Sequence, residues 1–160
     1  MTEPRTVRAM WAVSAVASLL LVLDLFLDWQ KVTVDVAGTV LVNATDSGWH
    51  GWGFAVGAFA VLLSAVAWSY AVRPRTVEDH VYAVGLLPAA LLVTTVLAVF
   101  GGGADVDVGQ VVGVRVDSDL WPTWAGLVLG VIASSAAITA IFVDLGVARG
   151  RDTTTAVHAR

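Results

Sequence analysis

The chain has 160 residues, 58% of them hydrophobic and only 14% charged, with a formal net charge of −4 and no cysteine. That is too apolar for an ordinary water-soluble domain, and it excludes disulfide frameworks and thiolate metal sites.

The apolar residues gather in four runs, residues 9–27, 51–72, 81–100 and 121–143, which are 19, 22, 20 and 23 residues long. A helix rising about 1.5 Å per residue crosses a hydrocarbon layer of about 30 Å with roughly 20 residues, so each run is predicted to span a membrane. Residues 55–67 hold one serine and one glycine among otherwise apolar side chains, which leaves no wet face. A soluble bundle of four such helices would have to bury several of them on all sides, and so small a domain has no room for that.

The first run follows Arg5 and Arg8. It is longer than the apolar core of a secretion signal and meets Asp28 and Trp29 without a small-x-small cleavage site, so a retained span is expected. Within it lies Asp24, about 7 Å below Trp29 at helical rise and, in a helix continuing to Leu27, on one face with Asp28. A carboxylate at that depth is costly unless it is protonated, paired or wet. Three roles stay open: a structural acid bonded to a serine, a threonine or a tryptophan N–H; an acid reaching the wet boundary with Asp28; or a proton or cation site near the outer mouth. No lysine or arginine lies inside any run to neutralise it.

Two long connections, residues 28–50 and 101–120, separate the runs. Residues 31–36 alternate with period two, Ala37 and Gly38 read as a turn, and residues 39–42 return. Residues 104–108 alternate again, Gly109 and Gln110 interrupt them, and residues 111–116 continue. Valine and threonine at period two predict strands, and the intervening glycines predict turns or bulges. Isolated hairpins are marginal, so the two are expected to join as one four-stranded cap with valines toward the helices and aspartates toward water.

Orientation follows from the basic residues. Arg5, Arg8, Arg73, Arg75, Arg149, Arg151 and Arg160 fall on one side of the four runs, and only Lys31 and Arg115 on the other. The arginine-rich side is predicted to be cytoplasmic, with both termini there. The outer connections carry Asp28, Asp35, Asp46, Asp105, Asp107, Asp117 and Asp119, a field that favours cations or simply keeps the loops wet.

Shifting the chain by 72 residues superposes Val34, Asp35 and Val36 on Val106, Asp107 and Val108, and Trp49 and Trp52 on Trp121 and Trp124. Residues 9–72 and 81–143 therefore read as tandem units. Both enter from the same side, as in parallel repeats about an axis along the membrane normal.

Trp29, Trp49, Trp52, Trp121 and Trp124 mark the outer boundary, where indoles favour the headgroup level, and Trp11 and Trp68 mark the inner one. Trp49 and Trp52, three apart, also fit a clamp between cap and helices or a surface on which a ligand stacks. His50, near Asp46, is a candidate external pH sensor or an ordinary boundary histidine. Glu78, Asp79 and His80 are adjacent and do not converge on one metal ion. Gly53 with Gly57, Gly126 with Gly130, and the hydroxyls of Ser64, Thr94, Thr95, Ser134 and Ser135 suit close helix contact or oligomers. The chain has no H-E-x-x-H, G-x-S-x-G, phosphate-binding or dinucleotide-binding motif, so neither an enzyme nor a cofactor is expected.

In the segments Leu25-Phe26-Leu27-Asp28-Trp29 and Ser47-Gly48-Trp49-His50-Gly51-Trp52 the chain resembles the small, mostly uncharacterised four-span membrane proteins of high-GC Gram-positive, actinobacterial type. That resemblance implies a plasma-membrane location and brings no activity. In shape alone the expected architecture also resembles claudins, whose W-G-L-W-C-C signature is missing here.

The expected fold is thus an all-α transmembrane four-helix bundle with a small extracellular β-hairpin cap. The expected role is that of a scaffold or partner-binding protein, in contact with the lipid bilayer and with a homo-oligomeric or other membrane-protein partner, and not with nucleic acid. The alternatives are a cation or proton channel or transporter using Asp24, and an envelope or pH sensor using His50.

Overall fold

The computed structural model describes residues 3–36, 39–49, 51–73, 81–100, 106–107, 112–117 and 120–158. In chain order these form α1 (Glu3–Asp24), β1 (Asp28–Val36), β2 (Thr39–Ser47), α2 (Gly53–Val72), α3 (Val81–Phe100), β3 (Val106–Asp107), β4 (Val112–Asp117) and α4 (Trp121–His158). The protein is mostly helical, with a small sheet formed by the two long connections.

Three helices are long and apolar enough to cross a membrane: Arg5–Asp24 within α1, Gly53–Val72, and Trp121–Gly146 within α4. The 20 residues of α3 are apolar too and carry Pro88 inside the helix. How these helices bury their side chains points the same way. Their inward positions are mostly small, with Ala15, Ala17, Ala60, Ala67, Ala133, Ala137 and Ala140 joined by Ser14, Ser18 and Ser134. Their outward positions are large and apolar, among them Leu19, Leu23, Phe54, Leu62, Leu86 and Phe142. Water would penalise this arrangement, whereas in lipid the tails match the outer side chains and helices associate through small residues. The protein is therefore membrane-embedded.

Each helix packs on two others: α1 on α2 and α4, and α3 on α2 and α4. Exchanging the two halves, α1 for α3 and α2 for α4, leaves that ring of neighbours unchanged. The sheet does not share this symmetry. Its order is β2-β1-β4-β3, all pairs antiparallel. The same exchange would put β2 against β3 in the centre, whereas β1 and β4 are the central pair. The two hairpins thus follow one another across the sheet, with β2 and the two-residue β3 at its edges.

Several boundaries differ from the pattern reading. The first helix stops at Asp24 and not at Leu27. Phe26 N–H bonds to Leu23 O at 3.2 Å and Leu27 N–H to Asp24 O at 2.9 Å, the tighter i→i−3 winding that closes a helix. Asp28 therefore opens β1 and shares no helical face with Asp24. β1 and β2 reach back to Asp28 and forward to Ser47, longer than the predicted strands, while residues 104, 105 and 108 of the second predicted hairpin lie outside the described residues. The fourth helix continues past residue 143 to His158. At its start Pro122 fills the first turn, where its missing N–H would have no helical partner.

Candidate functional site

The group that joins sheet to helices is built around Asp24 and Trp29. The register between β1 and β2 slips between Asp28 and Gln30, so Trp29 is an extra residue in β1 with no partner across the ladder. A bulge of this kind turns a side chain out of the strand's ordinary alternation. Here it sends the Trp29 ring into the core, where the residue is only 2% exposed. Asp28 before it is exposed.

Three contacts fix Trp29. Its Nε1–H lies 3.1 Å from both the Asp24 carbonyl oxygen and Asp24 Oδ2, a shared donation to the acid and to the end of α1. The carbonyl of Trp29, freed by the bulge, accepts from Thr123 Oγ1 of α4 at 2.6 Å. Two glycines close in on the ring. A methyl group at Gly48 would stand 2.8 Å from Trp29 Cδ2 and 2.9 Å from Leu25 Cδ2, and one at Gly126 would overlap Trp29 Cζ2 while coming within 2.8 Å of Asp24 Oδ2. Asp24 is 7% exposed and Thr123 1%. One latch therefore ties α1, β1 and the first turn of α4, and the buried carboxylate has a donor from an indole that the membrane interior would otherwise leave unbonded.

A second contact set seats α2 beside the latch. Gly48 N–H bonds to Leu27 O at 3.2 Å. Gly53 lies so close to the Gly48 carbonyl that no side chain fits there. Between them the chain reverses at Gly51, whose φ of +54° is one that glycine adopts without cost. Trp49 fills the groove between α1 and α2: a methyl group at Gly57 would meet its Cζ3 at 2.5 Å, and its ring packs edge-on to Phe26 at 5.3 Å and tilted to Phe54 at 6.0 Å.

The tryptophans expected to form one outer belt thus divide. Trp29 is internal and Trp49 half-buried, whereas Trp52, Trp121 and Trp124 are exposed at 51%, 73% and 44%. At the opposite end Trp11 is buried as well, stacked on Tyr70 at 5.0 Å, and only Trp68 is exposed as expected of a boundary residue. His50, Glu78, Asp79 and His80 lie outside the described residues. Among the described residues no three histidine, aspartate or glutamate side chains gather as a metal site.

Thr123, Gly48, Ser14 and Ser18 contribute to the interior without having been singled out in the sequence. Ser14 Oγ donates to Ala133 O at 2.8 Å, linking α1 to α4, and Ser64 Oγ to Ala15 O at 3.1 Å, linking α2 to α1. The four-residue spacing of Ser14 and Ser18, continuous with Leu21 and Leu25, was the available sign that both share the inward face of α1.

Comparison with known proteins adds no relative: the chain matches no protein-family model, no curated protein and no solved structure.

Proposed function

We propose that the chain is a four-span plasma-membrane protein with both termini cytoplasmic, akin to the small four-span proteins of actinobacterial type. We propose further that it works as a scaffold, presenting its outer sheet to another copy of itself or to another membrane protein. The observation that carries this reading is the latch. Trp29 is bonded to α1 and α4 at once and enclosed by two glycines, so the sheet is held at a set position on the helices. A surface held in place loses less conformational freedom on binding than a loose loop does. Four spans are supported by the length and apolarity of α3, and the orientation by the side on which the arginines fall.

Native mass spectrometry in mild detergent, with proximity labelling in cells, tests the role. The expected result is a defined oligomer or a reproducibly enriched neighbour, and a strictly monomeric protein with no enriched neighbour overturns it. Orientation is tested separately with single cysteines. Those replacing Asp35 and Asp107 are expected to react with an impermeant reagent on intact cells, and those replacing Arg75 and Arg151 only after permeabilisation.

A cation or proton pathway through Asp24 is the competing reading, and the packing weighs against it. The carboxylate faces an indole, and the next residue on its helix face toward the opposite end, Leu21, is fully buried and apolar.

A further inference from the structure

Arg5 and Arg8 are both exposed near the start of α1, three residues apart and so neighbours on the helix surface. They head the side of α1 that is turned away from the other helices: Val13, Val16, Leu20 and Leu23 continue it at steps of three and four residues, each about half exposed. No acid lies on α1 between Arg5 and Asp24 at its far end, and Glu3 stands two residues from Arg5 and five from Arg8, spacings that place it on another side of the helix. Asp144 of α4 follows the buried Ala137 and Ala140 on the inward side of that helix.

The depth of the two arginines is set by contacts between α1 and α2. Ser64 Oγ bonds to Ala15 O at 3.1 Å, and Trp11 stacks on Tyr70 at 5.0 Å, so the two helices run antiparallel in a fixed register. That register brings Trp68 of α2, an exposed indole suited to the membrane boundary, level with about residue 12 of α1. Arg8 then lies roughly 6 Å beyond the boundary and Arg5 roughly 10 Å. A headgroup layer is about 5 to 7 Å deep on each side of the hydrocarbon, so Arg8 stands within it and the long stem of Arg5 reaches back to it.

We infer that Arg5 and Arg8 hold the headgroup of an anionic phospholipid, whose acyl chains lie along the apolar side of α1. Charge complementarity selects this occupant. Two guanidinium groups on adjacent turns offer their planar forks to the phosphate oxygens, and the missing acid on that side leaves their charge for a lipid with a net negative head. A zwitterionic lipid brings its own cation to the same place and gains less. Free phosphate has no chains to set against Val13, Val16 and Leu20. The inference rests on the embedding of the helices in a membrane, and neither on the partner-binding role proposed above nor on which side is cytoplasmic.

Native mass spectrometry of the full chain, released from nanodiscs of phosphatidylglycerol and phosphatidylcholine in equal parts, tests it. Both leaflets are then alike, so the orientation of the chain does not enter. The lipid retained on the protein is expected to favour phosphatidylglycerol by about fivefold for each arginine. Arg5→Gln and Arg8→Gln should each lose about that factor, and the double variant should approach parity at an unchanged thermal midpoint. Arg160→Gln, which removes an equal charge at the far end of the chain, is the control and is expected to keep the preference. Three results would overturn the inference: equal retention of the two lipids by the wild type, an equal loss of preference in Arg160→Gln, or displacement of phosphatidylglycerol by inorganic phosphate, which would make this a site for free anions.

Discussion

The half made of α1, β1, β2 and α2 and the half made of α3, β3, β4 and α4 follow the same order of elements, yet their tryptophans have different fates. Trp49 and Trp121 stand at equivalent places 72 residues apart. The first is wedged over Gly57 between Phe26 and Phe54, and the second is 73% exposed. The latch is just as one-sided. Its parts have no counterparts in the other half: at the same offset Asp24 meets Val96, Trp29 meets Gly101, and Thr123 meets Gly51. Where helices merely pack in a ring, exchange of the halves changes nothing. Where the sheet is anchored, one half supplies the acid and the indole and the other supplies the threonine and the glycine that receive them.

The largest expected effect breaks that asymmetry at its centre. Trp29→Ala removes a buried ring and its shared donation to Asp24, leaving only the backbone carbonyl on Thr123, and is expected to cost about 3 kcal/mol or more in detergent unfolding experiments. Trp121→Ala, at an exposed ring, is expected to stay within about 0.5 kcal/mol. Equal losses at the two positions would mean that the latch contributes no more than an ordinary boundary residue.

Gly126→Val comes next. A branched side chain there overlaps the Trp29 ring and crowds Asp24 Oδ2, so about 1 to 3 kcal/mol of overpacking is expected. Gly85→Ala, where an added methyl group meets nothing within 4 Å, is the matched control and is expected to be neutral or slightly stabilising. The measurement is the shift in thermal midpoint of each variant in the same detergent.

Thr123→Val keeps the shape and deletes the donor to Trp29 O, for an expected loss of about 1 kcal/mol, while Thr123→Ser should retain most of the bond. Hydrogen exchange at β1 and β4 sharpens the result: the valine variant should lose protection in the sheet before it does so in α2.

How much of this was legible follows from the kind of signal each feature leaves. Long apolar runs and period-two valines survive any tertiary arrangement, so the helices and both hairpins could be read directly. The end of α1 could not. Leu25, Phe26 and Leu27 continue the apolar run beyond Asp24, and nothing in hydropathy separates a helix from the tight turn that follows it. The bulge was hidden for a related reason. Trp29 falls on the same parity as Lys31, Thr33 and Asp35, which would place it with the polar side of a regular strand; an aromatic residue out of phase was the one available cue. The strand order was beyond reach, since two hairpins with similar valine patterns join equally well by either pair of edges until the helix ends choose. Asp24 was recognisable as a costly acid, and a tryptophan N–H was among the partners foreseen. That the tryptophan would be Trp29 depended on a helix stopping one turn early.

The smallest expected effect is at Asp24 itself, and it separates anchoring from transport. The acid receives Trp29 Nε1–H at Oδ2, and an asparagine carbonyl oxygen accepts the same bond in the same place. Asp24→Asn is therefore expected to change stability by less than about 0.5 kcal/mol. Asp24→Leu leaves the indole N–H only the backbone carbonyl of residue 24 to bond and is expected to cost about 1 to 2 kcal/mol, the range for polar contacts between membrane helices. Flux in proteoliposomes reads the other property. A neutral amide neither exchanges a proton nor balances a cation, so a transport site would lose its flux on Asp24→Asn while keeping its fold. If the acid serves as the latch, wild type and Asp24→Asn are expected to be equally tight to protons and monovalent cations. A flux present in the wild type and abolished by asparagine at unchanged stability would reassign Asp24 from anchor to pathway.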